Sequence, residues 1–146
     1  MTIYLLLGYI SNFITYNPKR GEMFLFNLKD KKFSSVNEKP FTLEKEIQNI
    51  VESNTEEIFN LRFVSSEFSL DGLRFDSVCF NEETKSFVII EYKKDSSFSV
   101  IDQGFAYLST MLNHKADLIL EYNETTGKTL KKNEVDWNQP RIIFIS

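Results

Sequence analysis

Three ionisable residues stand where a protein interior tolerates them least. Asp76 interrupts the run Phe75-Asp76-Ser77-Val78, and Glu91 and Lys93 flank Tyr92 at the end of the apolar stretch Phe87-Val88-Ile89-Ile90. Side chains alternate along an extended strand, so residues 87, 89, 91 and 93 share one side and place a carboxylate and an ammonium on the same face. By the same rule Arg74, Asp76 and Val78 share a face of the preceding strand. If the two strands return beside each other through the turn Asn81-Glu82-Glu83-Thr84-Lys85, Asp76 and Glu91 become cross-strand neighbours. Adjacent carboxylates repel unless a positive charge stands between them, and a divalent cation with Lys93 alongside resolves the repulsion. The ordinary alternative is that both acids are solvated strand ends and that Glu-x-Lys marks a strand leaving the core.

Holding these residues together requires adjacent strands and helices to cover them. Pro40 breaks the chain, Thr42 can act as a helix cap, and Leu43, Ile47, Ile50, Val51, Ile58 and Phe59 recur at helical spacing, which predicts one helix over 43–59. Glu44 falls beside Val51 and Ile58 on the helical wheel, at the margin of the apolar stripe. Strands are predicted over Arg62–Phe68, over Gly72–Asn81 and over Ser86–Tyr92, as an antiparallel meander. A second helix starts near Ser99, where Ser99 and Asp102 have capping-box spacing. It buries Val100, Gly104, Tyr107, Leu108 and Met111, carries Gln103, and ends near His114. Ala116–Tyr122 and Arg141–Ser146 read as short buried strands, with Gly127 and Trp137 in the polar loop between them. Near the start, Glu22–Val36 reads as two strands joined by a charged turn at Lys29–Lys32, a small N-terminal hairpin. The order implies an α/β domain with a mixed sheet flanked by helices.

Composition narrows the chemistry. With 146 residues and 42% hydrophobic content the chain suffices for one packed core, and no composition shift divides it. One domain is therefore expected, over 41–146, behind an extension and hairpin over 1–40. The formal charge of -4 argues against a protein that coats nucleic acid through a broad basic face, but leaves room for a nucleic-acid enzyme whose carboxylates gather metal. The single cysteine, Cys79, excludes an internal disulfide framework and reads as a small buried hydrophobe. The single histidine, His114, reads as a helix-end cap, so no Ser-His-Asp arrangement and no Cys/His zinc cluster can be built. Arg74, Lys94, Lys128, Lys131 and Lys132 could meet phosphates, though scattered lysines are usually solvated, and Trp137 reads as packing rather than base stacking. The opening Met1–Ile10 lacks a basic region and a cleavage site and is too short to span a bilayer, so no membrane association and a cytoplasmic location are expected.

Four phrases together carry a resemblance: Leu43–Ile50 (LEKEIQNI), Gly72–Phe80 (GLRFDSVCF), Phe87–Asp95 (FVIIEYKKD) and Val100–Leu108 (VIDQGFAYL), in the order helix, strand, strand, helix. They resemble the PD-(D/E)XK nuclease superfamily, and within it the NucS-type endonucleases and their uncharacterised relatives. The stretches Asn113–Leu120 and Val135–Ser146 also resemble the next segments of those relatives, so the resemblance runs from about Phe41 to the last residue. It implies an α-β-β-β-α-β core of restriction-endonuclease-like type and a divalent-metal-dependent endonuclease that hydrolyses phosphodiester bonds in DNA, with Mg2+ as cofactor and Mn2+ as substitute. It assigns Asp76 and Glu91 as direct metal ligands and the Tyr92 backbone carbonyl as a third. Lys93 would orient or help deprotonate the attacking water. Glu44 would act through a metal-coordinated water or a second cation, and Gln103 would steady a metal-bound water or the phosphate. Tyr107, one turn on, would support that helix face, although core packing explains it as well. Phe75 stands where the family name has proline, and the chain stops at Ser146 where such relatives continue, so the domain is expected to be truncated at its C-terminus. Met23 resembles their initiator, which would make Met1–Glu22 an extension. Two other classes stay open: a nucleic-acid-binding module on the same fold without catalysis, and a protein-assembly domain. Single-stranded and duplex DNA are equally open as partners, and cutting both strands with one site per chain would favour a homodimer.

Overall fold

The computed structural model describes residues 2–4, 12–17, 22–36, 43–93 and 99–145, with side chains described over 25–36, 43–93 and 101–145. The chain divides into two compact units, Met1–Pro40 and Phe41–Ser146. In the first, β1 (Thr2–Tyr4), β2 (Asn12–Asn17), β3 (Glu22–Lys29) and β4 (Lys32–Ser35) form an antiparallel sheet in that spatial order. The expected hairpin is its β3–β4 half. Asp30 and Lys31, with φ of 51° and 62°, make the two-residue turn whose twist suits paired strands.

The second unit has the expected α-β-β-β-α-β core, with a helix pair at each α position. It runs α1 (Glu44–Glu52), α2 (Thr55–Phe59), β5 (Arg62–Leu70), β6 (Leu73–Asn81), β7 (Ser86–Tyr92), α3 (Ser99–Asn113), α4 (Lys115–Thr126) and β8 (Arg141–Ile145). The sheet order is β5-β6-β7-β8: the first three strands are antiparallel and β8 lies parallel to β7, so the sheet is mixed. Apolar side chains form two clusters on its faces. Val51 of α1 packs with Cys79, Val88, Ile90 and Tyr92, while Tyr107 and Met111 of α3 and Leu118 and Tyr122 of α4 pack with Phe75, Val78, Phe80, Phe87 and Ile89. Every residue of β7 is buried, which is why its sequence reads as a continuous apolar run and not as an alternation.

Two sequence expectations are corrected. The segment Ala116–Tyr122 is not a strand but the body of α4: Leu118 and Tyr122 are buried one turn apart while Leu120 is exposed, and Gly127 closes the helix at φ 66°. A short apolar run fits either period, and burial at i and i+4 decides for the helix. The single helix expected over 43–59 is two helices, because Ser53 and Asn54 turn their side chains back onto the Asn49 and Ile50 carbonyls and end α1. Ile58, which the unbroken wheel aligned with Val51, is exposed. Thr42, Lys94 and the side chains of Ser99 and Val100 lie outside the described residues. Cys79 is fully buried, and burial pushes its thiol up to about 12, which agrees with an inert hydrophobe. Trp137 stacks on Phe87 at 5.7 Å between centroids, with Lys115 5.3 Å above its ring, so it packs as expected.

Candidate active site

β6 and β7 bring Asp76 and Glu91 to the same end of the sheet. Their ladder runs from Asn81↔Ser86 to Ser77↔Ile90 and stops one step short of Asp76. There the Asp76 side chain replaces a ladder partner: the Tyr92 N–H donates to its Oδ2 at 3.0 Å. Glu91 points to the α3 side of the sheet and is only 3% exposed. A buried carboxylate must be compensated, and three groups of this chain meet its Oε1. Lys93 Nζ lies 3.1 Å away, Gln103 Nε2 donates at 2.7 Å, and the Tyr107 hydroxyl stands at 3.3 Å.

The other oxygen is different. Glu91 Oε2 is buried and, among the described residues, has no hydrogen-bond partner. Burial raises the Glu91 carboxyl above its ordinary range; Lys93 opposes that shift, and the nearby Asp76 charge adds to it. A buried acceptor without a donor is costly, and a hard cation is the kind of group that satisfies it.

α3 supplies the rest of the setting. Gln103 and Tyr107 are one turn apart, so both reach the sheet, and Gln103 Nε2 also lies 2.7 Å from the Tyr107 oxygen. Tyr107 in turn donates to the Arg74 carbonyl at 3.0 Å and sets its ring 5.0 Å from that of Phe75. Tyr107 is therefore both a packing residue and a polar strut between α3 and β6.

The fold thus brings Asp76, Glu91, Lys93, Gln103 and Tyr107 together. Glu44 opens α1 as an exposed residue. Among the described residues no three His, Cys, Asp or Glu side chains gather, so Glu44 does not complete a three-carboxylate group with Asp76 and Glu91. What α1 delivers to Asp76 is Gln48, one turn further on, whose Nε2 donates to the Asp76 carbonyl at 3.0 Å. Sequence reasoning passed over Gln48; the signal was an amide set among the stripe residues Ile47, Ile50 and Val51. Of the other basic residues, Arg74 lies 3.8 Å from Glu67 and Lys128 lies 3.7 Å from Glu82. His114 makes no side-chain cap bond and sits 3.4 Å from both Asp71 and Asp117. No helix among the described residues is long and apolar enough to cross a membrane.

No family model matches the chain. An uncharacterized protein of Haemophilus influenzae (strain Rd) is 45% identical over 124 residues, which is 85% of this chain and 41% of that protein. The chain therefore spans about two fifths of the length of the curated relative it matches. Among solved structures, a repair endonuclease from Pyrococcus abyssi is similar at a TM-score of 0.44 and 11% identity, covering 99% of this chain and 64% of that one. The EndoMS-dsDNA2 complex is similar at a TM-score of 0.37 and 10% identity, covering 92% and 58%. Likeness of that degree does not bear on the chemistry of the site, which stands on its own geometry.

Proposed function

We propose that this chain is a divalent-metal-dependent nuclease of PD-(D/E)XK type that hydrolyses phosphodiester bonds in DNA. The observation that carries the reading is the buried Glu91 Oε2 beside Asp76, without a hydrogen-bond partner among the described residues, with Lys93 on the sister oxygen. Asp76 and Glu91 would hold Mg2+, or Mn2+ in its place; two carboxylates suit a small hard cation that keeps several of its waters. The Tyr92 carbonyl fits a third position, because the N–H and C=O of one strand residue point to the same neighbour and the Tyr92 N–H already points to Asp76. Glu44 would act at a distance, through a water. When bound, the ion supplies Lewis-acid polarisation and neutralises charge on the phosphate.

The chain's own groups do the remaining work. Lys93 is the one cation the site holds among its described residues; its side chain is 33% exposed, enough to meet a substrate oxygen or a water while it stays on Glu91. Positioned there, it offsets the charge that builds on the phosphorus oxygens and assists proton removal from the attacking water. Gln103, anchored by Tyr107, keeps Glu91 aimed; both of its amide hydrogens go to Glu91 and Tyr107, which leaves its Oε1 to accept from a metal-bound water.

The test is cleavage of labelled single-stranded and duplex DNA by the purified chain in Mg2+ or Mn2+ against EDTA, beside Asp76→Ala and Lys93→Ala. Metal-dependent cutting that disappears in both variants is expected, and the two substrates report strandedness. Equal binding of metal and DNA by wild type and both variants, with no cutting, would refute the nuclease and favour a binding or assembly domain.

A further inference from the structure

The polar side chain that α1 buries most deeply is Gln48, 6% exposed. Its Oε1 accepts from Lys45 Nζ at 3.2 Å, which turns the amide nitrogen inward. That Nε2 donates to the Asp76 carbonyl at 3.0 Å and to Glu52 Oε1 at 2.8 Å, with Ser66 Oγ at 3.2 Å. Glu52 Oε1 also accepts from Ser66 Oγ at 2.9 Å and from Ser77 Oγ at 2.6 Å. With the Ser77 proton committed to Glu52, the Tyr92 hydroxyl 3.2 Å away is the donor to Ser77. One helix is thereby bonded to β5, β6 and β7 around a single point.

That point is a break in the sheet. β5 and β6 pair at Ser66↔Ser77 and at Phe68↔Phe75, but the residue between them, Glu67, has φ 52°, outside the range of an extended strand. On the other side the β6–β7 ladder reaches only Ser77↔Ile90. Asp76 is therefore paired with neither neighbouring strand, and its main chain lacks the fixing that a ladder gives an interior residue. Two bonds from outside the ladders replace it: Gln48 holds the Asp76 carbonyl and the Tyr92 N–H holds its carboxylate.

We infer that Gln48 is the positioning residue for Asp76: it completes the break in the sheet and fixes where the aspartate carboxylate stands relative to Glu91. The inference rests on the reading of Asp76 as a metal ligand. A group that orients a ligand without touching the ion acts on metal affinity.

The experiment is Mn2+ titration calorimetry on the purified chain, with DNA cleavage measured at varied Mn2+ and at varied DNA, for Gln48→Met, Gln48→Asn and Asp76→Asn. Methionine keeps the length of the side chain and removes the donor; asparagine keeps the amide and shortens its reach, and serves if the methionine variant does not fold. Either folded Gln48 variant is expected to bind Mn2+ about ten-fold or more weakly, with the Mn2+ needed for half-maximal cutting raised alike and the KM for DNA within about two-fold. Wild-type Mn2+ affinity in a folded Gln48 variant, where Asp76→Asn has lost the ion, would overturn the positioning role and leave the nuclease reading intact. Undiminished Mn2+ binding by Asp76→Asn would instead overturn the metal assignment, and this inference with it.

Discussion

At the scale of single residues, Glu91 gives one oxygen to the protein and keeps the other without a protein partner among the described residues. Lys93 offsets its charge, and removing one partner of a buried pair commonly costs about 3–5 kcal/mol because the other charge is stranded. Lys93 is one-third exposed, so Lys93→Met is expected to destabilise the metal-free chain by roughly 2 kcal/mol, between the exposed and the buried limits. Saturating Mn2+ should recover most of that loss, because the ion replaces the missing positive charge. Urea unfolding in EDTA and in Mn2+ checks this, and an identical loss in both would separate the ion from Glu91. Alternation and one turn sufficed to read Asp76, Glu91 and Lys93 as a group. Gln48 was not legible in that way, because its partner is a carbonyl exposed by a break at Glu67 and Asp76 that no local pattern announces.

At the scale of elements, helices and strands were legible wherever period or turn chemistry was strong, as for β5 to β7. Legibility failed at Ala116–Tyr122, where five apolar residues in seven fit both periods and only packing against Phe80 and Phe87 decides. Two glycines test the resulting helices in opposite directions. Gly127 closes α4 with φ 66°, and an added Cβ would meet nothing within 4 Å, so Gly127→Ala suffers the backbone penalty alone, about 1 kcal/mol. Gly104 lies inside α3, and its added Cβ would sit 3.6 Å from the Phe144 ring, ordinary van der Waals contact. Gly104→Ala should therefore stabilise by about 0.5–1 kcal/mol through helix propensity. Thermal unfolding of the two variants should shift in opposite senses; a destabilised Gly104→Ala would mean that α3 cannot yield against β8.

At the scale of the whole molecule, the end of β7 away from Glu91 is tied by a second carboxylate. Glu82 receives Arg62 Nε at 2.7 Å and Lys85 Nζ at 3.2 Å, and Tyr122 donates to it at 3.3 Å, which joins β5, the β6–β7 turn and α4. The Arg62 hydrogen bond, more than any other contact, holds its carboxyl down at about 2 from an ordinary 4.5. A lowered carboxyl stabilises the folded state above its unfolded value and loses that contribution as pH falls from about 4.5 toward 2. Glu82→Gln should flatten the acid limb of the stability curve in that window, and an unchanged limb would show that the tie contributes nothing. The arrangement of β7 has one more consequence, for the act of folding. Slipping this strand by one residue would exchange the sides of Glu91 and Tyr92, sending a carboxylate among Val51, Leu61 and Cys79, away from Gln103 and Tyr107. The misaligned sheet would bury a carboxylate among apolar side chains without the hydrogen bonds the native one gives it, so the residue proposed as a metal ligand also works, before any metal arrives, as the chain's proofreader of strand register.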